Sequence, residues 1–100
     1  MKLLTKELER RLPPLYSQEN AKDPMVLAHF FVAGGVGDWY IIEGSRQDDE
    51  DFLMFGLCCL GEAELGYVTL KDFESVGGPF GLGIQRDKYW TPKPLSEVER

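Results

Sequence analysis

One hundred residues make one domain, and a 43% apolar fraction supports a single core without help from metals or disulfides. The net charge of −6 is concentrated, with +1 over residues 1–37, −8 over residues 38–74 and +1 over residues 75–100. Nucleic-acid affinity comes mainly from cations neutralising phosphate, so this middle segment argues against direct DNA or RNA binding and favours a basic partner.

Thr5 reads as an N-cap, with Leu4, Leu8 and Leu12 recurring on one helical face before Pro13 and Pro14 stop the helix. The start "MKLLTKELERR" lacks the apolar run of about 7–15 residues that marks a secretion signal. No stretch approaches the roughly 18 apolar residues of a membrane span, so a cytoplasmic protein is expected. "SQENAKDP" is a polar loop. "MVLAHFFVA" and "WYIIE", joined by "GGVGD", read as a β-hairpin. "GSRQDDED" is the next turn, and "FLMFGLCCL" is a strand apolar at both parities, which predicts cover on both faces and makes it the best candidate for the central strand. Gly56 inside it marks a bulge or a close backbone approach.

Cys58 and Cys59 are sequence neighbours that point to opposite faces of a strand, so they do not bridge each other, and the reading is of a reduced, intracellular protein. "LGYVT" reads as a further strand. Thr69 and Asp72 then form a capping-box pattern, Val68 and Phe73 occupy the staple positions, and Gly77 and Pro79 close a helix over residues 70–76. The last quarter is extended and punctuated by glycine and proline. The fold class expected is α+β: a three- to four-stranded antiparallel meander with a short N-terminal helix, a second short helix after the last strand, and an extended C-terminal tail. Residues 1–100 form a single domain, with 91–100 a frayed tail. Leu53, Phe55 and Leu57 are expected to pack against the helix bearing Phe73.

No residue set reads as a catalytic or cofactor site. His29 is the only histidine, lies in an apolar strand and has no nucleophile turn to serve, so a structural role is favoured over that of a base. Two adjacent cysteines and one histidine do not supply a zinc site, and the acidic run does not match a calcium loop. "GGVG" and "GGPFGLG" lack the context of phosphate loops and read as turns. The carboxylates Asp48, Asp49, Glu50 and Asp51, with Glu62 and Glu64, are candidates for partner binding; a solvated turn and a Mg²⁺ or acid–base site are the alternatives. Arg86, Lys88, Tyr89 and Trp90 in "QRDKYW" are a candidate contact platform, unless Arg86 pairs with an internal carboxylate and anchors the tail.

Three stretches, "MKLLTKELERRLPPLY", "GEAELGYVTLKDFESV" and "GPFGLGIQRDKYWTPKPLSE", together resemble the small bacterial proteins grouped as domain of unknown function 2958. The resemblance implies a stand-alone domain carried on plasmids, integrative elements and phage-related DNA, with no established activity and hence no catalytic residue or cofactor to carry over. Its matching residues, among them Leu12, Pro13, Pro14, Gly66, Tyr67, Arg86 and Asp87, serve architecture as readily as function. The functional expectation is a non-enzymatic, acidic accessory protein that binds a basic or nucleic-acid-binding host protein through residues 43–51 and 62–64. The alternative is a carboxylate-dependent, divalent-metal-assisted enzyme or small-ligand-binding protein. Single-strand binding through Tyr89 and Trp90 is a third reading, disfavoured by charge.

Overall fold

A computed structural model describes residues 2–48, 51–76 and 83–98. Thr5 caps α1 (Lys6–Arg11), its hydroxyl accepting the N–H of Leu8 at 3.1 Å. Leu4, Leu8 and Leu12 are all buried, so the four-residue spacing does mark the face that packs. Beyond it the chain is extended through Pro13, whose carbonyl accepts the N–H of Gly44 at 2.9 Å. A proline can follow a strand in this way because its carbonyl still accepts although its nitrogen cannot donate.

Among the described residues seven strands follow: β1 (Met25–Val26), β2 (Ala28–Val32), β3 (Asp38–Arg46), β4 (Phe52–Cys59), β5 (Ala63–Thr69), β6 (Ile84–Arg86) and β7 (Lys93–Pro94). Five of them form an antiparallel sheet in the order β5-β4-β3-β2-β6, while β1 and β7 pair separately. The class is α+β, as expected, and β2 to β5 form the meander. Two features are added to it. The tail supplies β6 against β2 and β7 against β1, and because β6 extends the sheet beyond β2 the central strand is β3 and not, as expected, β4, which lies beside it.

Between β5 and the tail runs α2 (Leu70–Ser75). Its capping box is complete: Thr69 Oγ1 accepts the N–H of Asp72 at 3.0 Å, and Asp72 Oδ2 accepts the N–H of Thr69 at 3.2 Å. Gly77 and Pro79 lie outside the described residues.

The sheet has a core on each face. One holds Leu3, Leu8, Phe30, Trp39, Ile41, Phe52, Met54 and Phe73 under the two helices. The other holds Val26, Tyr40, Ile42, Leu57 and Val98, with Phe55, Trp90 and Leu95 packed against it. Cys58 borders the first and Cys59 the second, which is the opposed arrangement that adjacent strand positions require. Burial pushes the Cys58 thiol pKa up, with smaller contributions from Cys59 and Glu64.

Two expectations are corrected. Leu53, Phe55 and Leu57 do not face Phe73; the opposite parity, Phe52 and Met54, shares its core. Period-two spacing tells which residues share a face but not which face the helix covers. Accordingly Phe52→Ala should cost about 3–5 kcal/mol, and the half-buried Phe55→Ala only about 1–2 kcal/mol. Urea denaturation of both variants checks this, and a larger loss at Phe55 would contradict the assignment of faces. The frayed tail is the second correction. Val98 is buried, the N–H of Leu95 donates to Pro24 O at 2.8 Å, and Ser96 Oγ donates to Asp23 Oδ2 at 2.6 Å. That hydroxyl holds the Asp23 carboxyl below the usual carboxylate range, helped by the Ser96 N–H.

Candidate functional site

The carboxylates singled out in the sequence do not form one surface. Asp48 and Asp51 precede β4, whereas Glu62 and Glu64 follow it, so the length of the strand separates the two groups, about 23 Å at 3.3 Å per residue. Asp49 and Glu50 lie outside the described residues. Asp48 Oδ1 accepts the N–H of Asp51 at 2.9 Å, closing the turn on itself. Asp51 has a structural task, because its Oδ1 accepts both the N–H of Phe52 at 2.9 Å and the N–H of Lys71 at 3.2 Å. It thereby caps an orphan donor in the first turn of α2 from a distant part of the chain. Arg46, the nearest cation in sequence, forks onto Glu9 with contacts of 2.7 and 2.9 Å, and this contact lowers the Glu9 pKa. Asp51→Ala should therefore cost about 1 kcal/mol of folding stability. Glu62→Ala should stay within about 0.5 kcal/mol, as at an ordinary surface position. Equal losses in urea denaturation would show that Asp51 is not a cap.

Glu43, counted with the acidic surface in the sequence, lies inside the protein at 3% exposure. The cause is a bulge: Ile41 pairs with Gly56 and Glu43 with Phe55, leaving Ile42 as an extra residue in β3. In an unbroken strand Glu43 would share a face with Trp39 and Ile41, and its carboxylate would enter the helix-side core. The extra residue turns it to the other face. There Oε1 accepts the N–H of Tyr16 at 2.7 Å and Oε2 that of Gln18 at 3.0 Å. Gln18 completes the arrangement, its Nε2 donating to Ile42 O at 2.7 Å, the carbonyl of the extra residue, and its Oε1 accepting the N–H of Met25 at 2.8 Å.

These groups form one end of a cleft of about 390 Å³ lined by Tyr16, Glu19, Phe55, Leu65, Tyr67 and Leu95, among others. The hydrogen bond with Tyr16 is the main cause that raises the Tyr67 phenol pKa. Neither Glu43 nor Gln18 was singled out by sequence reasoning; the glycine opposite the bulge was the available signal.

His29 ties three segments together. Its Nε2 lies 2.7 Å from Asp38 Oδ1 and its Nδ1 lies 3.0 Å from Asp87 Oδ2, while the ring stacks on Tyr40 at 4.7 Å. With both nitrogens engaged, the ring serves as a brace between β2, β3 and the tail, the structural role favoured from sequence.

The four tail residues of the expected contact platform differ in their surroundings. Trp90 Nε1 donates to Val26 O at 3.0 Å, and its ring meets His29 at 5.4 Å, Tyr40 at 5.8 Å and the Lys93 ammonium at 4.8 Å. A ring so surrounded is a packing element. Arg86 reaches the carbonyl of Lys2 through two contacts of 3.4 Å, which joins the tail to the N-terminal segment. Lys88 and Tyr89 are exposed, Tyr89 at 92%.

The remaining pair, Glu62 and Glu64, is exposed at the tip of the β4–β5 hairpin, beside Leu60 at 61% exposure. Among the described residues no group of three or more His, Cys, Asp or Glu side chains is placed to hold a metal ion, and no helix is long and apolar enough to cross a membrane.

Neither the curated proteins nor the solved structures contain a match to this chain. A family model does match, over residues 3–99, under the description "Protein of unknown function (DUF2958)". The match takes in both helices, all seven strands and the tail to Val98, and the chain belongs to this family.

Proposed function

We propose that the protein is a non-enzymatic interaction module that binds a basic protein partner through the tip of the β4–β5 hairpin. The observation that carries this reading is the grouping of exposed Glu62 and Glu64 around an exposed leucine, Leu60. An apolar centre with a charged rim is the anatomy of a protein-binding patch, and carboxylates on the rim select a cationic partner and speed its encounter. The segment charge of −8 over residues 38–74 adds a longer-range pull in the same direction. Asp48 and its turn form a second acidic point at the far end of β4. A nucleic-acid-binding host protein suits this charge, and an accessory role in a mobile element follows from the family resemblance.

Titration of the ¹⁵N-labelled chain with an oligolysine peptide tests the reading. Amide shifts should concentrate at residues 60–64 and fade as salt shortens the screening length. Shifts confined to residues 86–90 would move the binding surface to the tail.

The small-ligand alternative has one observation in its favour, the cleft of about 390 Å³ walled by Tyr16, Phe55, Leu65 and Tyr67. Its size and largely apolar walls are those of a small-molecule site. A thermal-shift screen with divalent ions and nucleotides examines it, since a ligand at about 100 times its Kd stabilises by about 2.7 kcal/mol.

A further inference from the structure

Strand β5 stands at the edge of the five-stranded sheet, paired with β4 on one side. Its register with β4 runs without a break from Ala63 to Thr69. Exposed edges are usually blunted by proline, lysine or a bulge, because unpaired N–H and C=O groups template another strand. This edge has no such guard. The sole charge between Ala63 and Thr69 is Glu64, and two apolar side chains stand out on one face, Leu65 at 56% and Tyr67 at 51% exposure.

We infer that β5 pairs antiparallel with β5 of a second copy, about a two-fold axis passing between the two Gly66 residues. The sequence of the strand is complementary to itself in this register and supports a second copy over other occupants. Gly66 is the central residue of Ala63–Thr69. A two-fold axis there sets Leu65 of each chain opposite Tyr67 of the other, and Glu64 opposite Val68. Aliphatic–aromatic neighbours across strands are favourable pairs, and no like charges face one another. The two Glu64 carboxylates stand about 13 Å apart along the strand direction, beyond the screening length of about 8 Å at physiological salt. Closed two-fold dimers are also the commonest oligomers of soluble proteins.

The area sets the strength. A seven-residue edge about 23 Å long, with a side-chain layer of about 10 Å on each face, gives about 900 Å² over both partners, below the roughly 1,200–2,000 Å² of stable specific interfaces and in the range of weak, transient ones. The dimer is therefore weak and concentration-dependent. Each chain carries −6, so association opposes a net repulsion and strengthens with salt. This is opposite to the salt response of the basic-partner complex, which keeps the two readings separable. Leu60 and Glu62 of the hairpin tip lie beyond the paired segment and stay open, whereas Glu64 lies within it.

Sedimentation velocity from about 10 to about 500 µM, in about 50 mM and about 500 mM salt, decides the matter. The wild type should shift from monomer toward dimer with concentration, more so at high salt. The double variant L65K/Y67K sets lysine opposite lysine at both related positions and should remain monomeric with an unchanged far-UV spectrum. Amide exchange on the wild type gives an independent readout, with alternate β5 amides gaining protection as concentration rises. A wild type that stays monomeric throughout overturns the proposal, as does a dimer indifferent to L65K/Y67K. A monomer whose β5 amides become protected only when a basic, extended peptide is added also overturns it, in favour of strand addition by a partner.

Discussion

Replacing Gly56 with alanine should largely unfold the protein. A Cβ at this position would lie 2.1 Å from Tyr40 O and 2.8 Å from Ile41 Cα, both backbone atoms of the neighbouring strand. No side chain can rotate aside to make room, so the β3–β4 pairing itself must open at the bulge. Losses above about 4 kcal/mol are rare for single substitutions and belong to this kind of conflict. Set against a total stability of about 5–15 kcal/mol, that loss leaves little folded protein at growth temperature. Urea denaturation with an amide-proton spectrum measures it. A well-dispersed spectrum with a loss below about 1 kcal/mol would mean that the two strands do not approach as described.

Glu43→Ala should be the second most damaging change. The carboxylate is the acceptor for the N–H groups of Tyr16 and Gln18. Tyr16 also holds a positive φ of 71°, unusual for a residue with a side chain. Its hydrogen bond to Glu43 helps to hold that conformation. Each donor left unsatisfied costs about 1–3 kcal/mol, giving a loss of about 2–5 kcal/mol when partial solvent access is allowed for. The loop over residues 15–25 should exchange its amide protons faster in the variant. Stability and exchange equal to the wild type would show that Glu43 is an ordinary acidic residue and not the clamp of this loop.

These two positions also show what the sequence disclosed. Gly56 stood out as a bulge or close approach, and the close approach is there, but the extra residue belongs to the opposite strand, at Ile42. A period-two reading cannot see a bulge in advance, and Glu43 was counted with the acidic residues 43–51 by its charge alone, with no signal that it is buried. The helix caps were legible because their signals lie within four residues of one another, as at Thr5 with Leu8 and Thr69 with Asp72. The strands of the tail were not. Residues 84–86 and 93–94 are too short for periodicity, and their partners lie more than fifty positions away. The division of the carboxylates followed from the same gap, since a turn before a strand and a turn after it look adjacent in composition while the strand holds them apart.

The central claim is that the acidic hairpin tip selects a basic partner. Affinity capture from the native host, with the wild type and the variant E62K/E64K side by side and mass spectrometry of what each retains, tests it most directly. A basic protein should be enriched on the wild type and lost from the variant, whose fold these two exposed positions should leave intact. Identical sets of proteins retained by both forms would contradict it.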